Sequence, residues 1–209
     1  MTDDSRLRQQ LSLYLVTDDE PHTHRLLTTI ARALDGGVTT VQLRRKHDDG
    51  RRLVEIGLAI RDLTRRARAL YIVNDRVDIA LLTDADGVHV GQSDISCTDA
   101  RKLLPQRIVG VSTCTLEEAL QAQQDGANYL GVGAIFPTTS KADADMCGIG
   151  GLARIAQRIN LPIVGIGGIS HDNAKQVFDA GADGIAVVSA IMQAPDAFHA
   201  SAAFRNGIM

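Results

Sequence analysis

Aromatic side chains make up only 3% of the 209 residues, and a formal net charge of -3 is spread over interspersed acids and bases. A base-stacking platform or a basic groove for nucleic acid needs the opposite on both counts, so a small-molecule ligand is expected. Cysteine is scarce too. Cys97, Cys114 and Cys147 are odd in number and lack CxxC spacing, which argues against a disulfide framework or a zinc site and suits a reducing compartment. No uncharged apolar run reaches membrane-spanning length. The polar start Met1-Thr2-Asp3-Asp4-Ser5-Arg6 has neither the basic region nor the apolar core of a signal peptide. The expectation is a cytoplasmic protein without a membrane partner.

What the chain does have is alternation. Strand-like apolar runs recur at Leu11 to Val16, Val38 to Leu43, Leu70 to Val73, Gly87 to Val90, Ile108 to Val111, Tyr129 to Val132, Pro162 to Val164 and Gly184 to Val188. Most are separated by segments of helical period, such as Leu26, Ile30, Ala33 and Leu34. Several of these end in a glycine that leads into the next strand, as at Asp35-Gly36-Gly37-Val38. The pattern predicts an α/β fold, a (β/α)8 TIM barrel in which residues 1–209 form a single domain. Polar residues just after each strand would then gather at one rim, where barrel enzymes place their chemistry.

After the second strand, Gln42, Arg44 and Lys46 alternate, so period 2 turns one amide and two cations to one side. That suits an anion, although a charged strand end in solvent would read alike. Asn74-Asp75 and Gly91-Gln92-Ser93-Asp94 follow the third and fourth strands. Neighbouring strands lie about 4.8 Å apart, so Asp75 and Asp94 can meet and offer Mg²⁺ the carboxylates it favours. The competing reading is that either aspartate caps the next helix. His89, on the fourth strand, is expected to be a satisfied core histidine and stays outside the site. Ser112 follows the fifth strand and suits a phosphate hydrogen bond, with Thr115 as a helix cap.

The segment from Gly133 to Gly150 is long and rich in Thr, Ser, Asp and Gly. Loops of that kind on a rigid scaffold usually carry function. Pro137-Thr138-Thr139-Ser140-Lys141 supplies hydroxyls and a cation, and the glycines at 148, 150 and 151 would let the segment close as a lid. Near the end, Gly165-Ile166-Gly167-Gly168 leaves a strand and is expected to enter a helix capped by Ser170. Val188-Ser189-Ala190 forms a second turn beside it. Such a pair after strands 7 and 8 often binds phosphate in barrels, and an ordinary glycine-rich turn is the alternative.

Taken in order, VQLRRK at 41–46, VNDRVDIAL at 73–81, GVHVGQSD at 87–94, GVSTCTLEEAL at 110–120, GVGAIFPTTSK at 131–141 and the VGIGGI and GIAVVSAI turns resemble the thiamine phosphate synthase family. The resemblance covers nearly the whole chain. It implies a transferase that joins 4-amino-2-methyl-5-hydroxymethylpyrimidine diphosphate to a thiazole phosphate, releasing diphosphate and, from the carboxylated thiazole, CO2. By resemblance Gln42, Arg44, Lys46, Asn74, Ser112 and Lys141 hold the pyrimidine diphosphate, Asp75 and Asp94 hold one Mg²⁺, and Thr138, Ser140, Gly168, Val188 and Ser189 hold the thiazole phosphate. Lys141, Ser112 and Arg44 are the candidate catalytic residues.

The absence of an obvious Ser-His-Asp or Cys-His pair fits a reaction that needs no protein nucleophile. Arg45, Ser93, Ser140 and Cys114 depart from the residues usual in the family. Arg45 and Ser93 are expected to face away, Ser140 keeps the hydroxyl, and Cys114 replaces a histidine. Two rival readings share the rim: a thiazole tautomerase, which uses a histidine near the position of Cys114, and a noncatalytic sensor of thiamine phosphates. A homodimer is a possible assembly.

Overall fold

A computed structural model describes residues 3–138 and 146–208. Eight parallel strands close into a barrel in sequence order: β1 (Leu13–Val16), β2 (Thr40–Leu43), β3 (Leu70–Asn74), β4 (Gly87–Val90), β5 (Ile108–Thr113), β6 (Tyr129–Val132), β7 (Ile163–Ile166) and β8 (Gly184–Val187), with β8 pairing back onto β1. The connecting helices are α2 (Thr23–Asp35), α3 (Gly50–Ala67), α4 (Val77–Leu82), α5 (Cys97–Leu103), α6 (Leu116–Gln124), α7 (Gly148–Ala156) and α8 (Ala174–Asp179). Among the described residues no helix is long and apolar enough to cross a membrane.

Side-chain alternation splits the apolar residues into two packed sets. On β1, Leu13 and Leu15 face the helices, whereas Tyr14 and Val16 face the bore with Leu70, Ile72, Tyr129, Val164 and Ala186. Between strands and helices lies the larger set. The α2 stripe Leu26, Ile30, Ala33 and Leu34 is buried there at helical spacing. Deleting a side chain as deeply buried as Ile30 costs about 2–5 kcal/mol.

Three further helices stand outside the βα repeat. Helix α1 (Asp3–Gln10) lies across the N-terminal mouth: its Leu7 packs on the bore residues, and Arg8 pairs with Asp183 at 2.6 Å. After β8 come the short α9 (Ser189–Met192) and then α10 (Ala197–Ile208), which packs on α2. With α1 across one mouth, the C-terminal rim is the end left for a ligand.

Three boundaries differ from the sequence reading. Strand β5 runs on through Ser112 and Thr113, because both pair with β6. The helix after β7 starts at Ala174 and not beside Ser170. There the Asn173 carboxamide oxygen accepts the Ser170 N–H at 2.8 Å, so the chain makes a local turn before the helix. Gly148, Gly150 and Gly151, expected as lid glycines, lie in α7.

Candidate active site

The strand pleat delivers the β2 residues as expected. Gln42 is buried and turned into the bore, where its Nε2 donates to the Tyr14 hydroxyl at 2.8 Å. Arg44 is half-buried at the rim, its backbone N–H donating to Thr17 Oγ1 at 2.9 Å and its carbonyl accepting from that hydroxyl at 3.1 Å. Lys46 is exposed. Arg45 turns the other way into a buried pair with Asp48 and the Glu20 carbonyl, so it is a structural arginine rather than a solvated charge. Neither Arg44 nor Lys46 has an ion pair among the described residues. Both remain available to an anion.

Asp75 and Asp94 come together. Burial raises the Asp75 carboxyl from 3.8 to about 6, a hydrogen bond with Asp94 and the Asp94 charge push the same way, and Lys46 and Arg44 oppose the rise. Asp75 is also held in a left-handed backbone conformation, φ 59°, with its N–H donated to the His89 carbonyl at 2.8 Å. Asn74 Nδ2 donates to its carboxylate at 2.6 Å. Helix capping does not explain either aspartate. Arg76 and Ser96 occupy the N-cap positions of α4 and α5, and Asp94 instead accepts the Gly91 N–H at 2.8 Å. No third His, Cys, Asp or Glu joins them to form a larger metal cluster among the described residues.

On β5, half-buried Ser112 places its Oγ 2.9 Å from His89 Nε2, and its carbonyl accepts from Gln92 Nε2 at 2.7 Å. His89 Nδ1 lies 2.9 Å from the Tyr129 hydroxyl. The histidine is satisfied, as expected, yet it touches a candidate site residue, a contact the sequence reading missed. Gln92, Tyr14 and Tyr129 were missed as well. A signal did exist: Gly110 and Gly131 sit inside strands, where glycine often marks a close approach. A Cβ on Gly110 would run into the Tyr129 ring, and one on Gly131 would come within 2.9 Å of His89 Cε1.

Cys114 gains a physical account. Its N–H donates to Glu118 Oε2 at 2.7 Å beside the capping box of Thr115 and Glu118. The Cys147 thiol is raised to about 11 by burial and then by contact with Cys114, so the two sulfurs lie together. Where the resemblance leads to an expected histidine, the chain thus holds a small soft group packed against Cys147 at the start of α7.

At the other side of the rim Gly168 has φ 63°, and a Cβ there would meet the Pro137 carbonyl and lie 2.8 Å from Phe136 Cβ. Only glycine lets the β7 turn sit on the β6 loop next to Thr138. Val188 precedes α9 and exposed Ser189 opens it. The first N–H groups of a helix have no partner within it. Strands 7 and 8 with a short extra helix are a recurrent phosphate site in barrels. Ser140 and Lys141 lie outside the described residues.

The family described as thiamine monophosphate synthase matches residues 13–191. A thiamine-phosphate synthase of Chloroflexus aurantiacus is 52% identical over 188 residues, covering 88% of this chain and 86% of that one. One of Pyrococcus furiosus is 45% identical over 200 residues, covering 96% of each. The structure of a thiamine phosphate pyrophosphorylase from Pyrococcus furiosus superposes with a TM-score of 0.89 at 43% identity, covering 97% of each chain.

Proposed function

The chain belongs to the thiamine monophosphate synthase family, and we propose that its rim carries out the dissociative displacement which that activity requires. The enzyme is a transferase that joins a pyrimidinylmethyl diphosphate to a thiazole phosphate. One observation carries the reading of the site: two carboxylates pressed together beside two cations that form no ion pair among the described residues. That arrangement is costly without a ligand and suits a diphosphate brought in with a divalent cation.

The donor set fits Mg²⁺, which takes one or two carboxylates and completes its shell with water and substrate phosphates. Held by Asp75 and Asp94, the ion supplies positive charge for the departing diphosphate. Arg44 and Lys46 bind the same oxygens and stabilise the charge that develops as the carbon–oxygen bond breaks. The electron pair leaves with diphosphate. The pyrimidinylmethyl cation delocalises onto its 4-amino group, and the thiazole nitrogen then forms the new carbon–nitrogen bond. Gln42 and Ser112 orient the pyrimidine, and Asn74 braces Asp75. Thr138, Gly168, Val188 and Ser189 hold the thiazole phosphate, with Ser140 assigned on the motif alone. Lys141 is likewise assigned to the leaving group on its motif. A reducing, cytoplasmic setting agrees with three free thiols, and sedimentation tests for a homodimer.

The deciding measurement is diphosphate release from both substrates with and without Mg²⁺, repeated on Asp75→Asn and Asp94→Asn. Release that needs the metal and falls in both variants is the expected result. Tight binding of both ligands with no release would refute it in favour of a sensor.

A further inference from the structure

A chain of four hydrogen bonds crosses the bore and joins two candidate substrate contacts on opposite walls. Gln42 Nε2 on β2 meets the Tyr14 hydroxyl on β1 at 2.8 Å, and the Tyr14 and Tyr129 hydroxyls lie 2.8 Å apart. The Tyr129 hydroxyl on β6 meets His89 Nδ1 on β4 at 2.9 Å, and His89 Nε2 meets Ser112 Oγ on β5 at 2.9 Å. Tyr14 and Tyr129 are buried to within 1% of full coverage. Gly110 leaves room for the Tyr129 ring and Gly131 for His89, because neither carries a side chain.

Proton counting gives this chain a direction. The Gln42 nitrogen only donates, so the Tyr14 oxygen accepts from it and spends its single proton on Tyr129. Tyr129 in turn accepts and spends its own proton on His89. His89 Nδ1 is then an acceptor, its Nε2 carries the proton, and that proton goes to Ser112 Oγ. Ser112 is left with one hydroxyl proton, and Gln42 with its carbonyl oxygen and its second N–H, none of them used inside the wall. Burial pushes both phenols well above their ordinary range, so each keeps its one proton.

We propose that Tyr14, Tyr129 and His89 are positioning residues that form a one-way wire, which fixes the orientation of the Gln42 amide, with its carbonyl oxygen offered to the substrate, and keeps the Ser112 hydroxyl proton as a donor. This rests on the reading that Gln42 and Ser112 contact the pyrimidine. The wire selects a heterocycle that offers a donor on one edge and an acceptor on another, as an aminopyrimidine does. Turning the Gln42 amide over would reverse every bond and move the histidine proton to Nδ1, so the direction is measurable.

The test begins with the unliganded wild-type protein, labelled with 15N-histidine and observed by NMR. The chain has six histidines, and the His89 pair is the one missing from His89→Gln. The expected spectrum shows a bare Nδ1 and a protonated Nε2. An Nδ1–H tautomer or a rapid mixture overturns the proposal. At pH 8, Gln42→Glu places an accepting carboxylate at the head of the wire, and the His89 proton is expected to move to Nδ1. An unchanged tautomer overturns the wire.

Turnover supplies the functional arm. Tyr129→Phe removes one oxygen and keeps the ring, and it should lower kcat about tenfold, the effect of about one buried hydrogen bond. In a Ser112→Ala background its cost should shrink, because only the Gln42 end of the wire is then left to lose. Equal costs in both backgrounds overturn the positioning role. Should Ser112→Ala itself leave turnover unchanged, the assignment of Ser112 fails, a result distinct from the tautomer measurement on the free protein.

Discussion

Asp75→Asn should make the metal-free protein more stable at neutral pH while removing its activity. The Asp75 carboxyl is raised from 3.8 to about 6 in the folded chain. A carboxyl with a raised folded value contributes no penalty below about pH 4, where it is protonated in both states. The penalty grows as pH rises through 6, because the unfolded chain ionises more readily. A shift of about two units corresponds to about 3 kcal/mol at full burial. Asp75 is half-exposed, and solvent screening brings the figure to about 1 kcal/mol.

Asparagine keeps the geometry needed to isolate that term. It tolerates φ 59° better than alanine and can still accept the Asn74 hydrogen bond. About 1 kcal/mol moves the midpoint of a chain this size by about 2–4 °C. Calorimetry in chelator at pH 4, 5, 6, 7 and 8 should show the two proteins matched at pH 4 and the variant ahead by that interval at pH 7 and above. Mg²⁺ at about 100 times its dissociation constant should then stabilise the parent by about 2.7 kcal/mol and leave the variant unmoved. A variant that is less stable at pH 7, or a difference independent of pH, would refute the idea that the two carboxylates strain each other.

Gly168→Ala should raise KM for the thiazole phosphate and cost about 1–3 kcal/mol of stability, since a methyl at φ 63° runs into the β6 loop; steady-state kinetics with the pyrimidine saturating separate the two effects, and an unchanged KM would remove this turn from the site. Lys141→Ala should lower kcat at least as strongly as it weakens pyrimidine diphosphate binding, because charge on the leaving group peaks in the transition state; unchanged turnover refutes that role. At pH 8 only about 0.1% of a thiol with a value near 11 is ionised, so Cys147 should resist iodoacetamide. Cys114→Ala should speed its alkylation by removing a neighbouring sulfur, and mass spectrometry that finds Cys147 quickly labelled in the parent would contradict its half-buried setting.

The barrel was legible because alternation is a chain-wide signal: eight apolar runs separated by helical periods leave few other closures. Period 2 is local, so Gln42, Arg44 and Lys46 could be placed from their spacing alone, and the meeting of Asp75 with Asp94 followed from the spacing of neighbouring strands. What escaped was decided across the chain. Ser112 joins a strand only because β6 offers it partners. Ser170 falls outside the helix because a local turn, in which its N–H donates to Asn173 Oδ1, delays the start to Ala174. Arg45 was expected only to face away, and its partners could not be read, because Asp48 and the Glu20 carbonyl come from the turn after it and from a loop before α2.

The bore itself was the least legible part, and its composition explains why. Barrel interiors are usually filled by layers of Val, Ile and Leu, and a polar group placed there without a partner costs about 1–3 kcal/mol. The chain has only three tyrosines. Two of them, Tyr14 and Tyr129, stand in this interior, and each hydroxyl there has a neighbour on both sides. The core penalty is therefore removed pair by pair along the wire, and only its two ends are left to be satisfied by a ligand. A hydrophobic replacement of the three middle residues could fold as well, but it would leave Gln42 and Ser112 free to rotate. The polar bore is better understood as orienting those two ends than as stabilising the barrel.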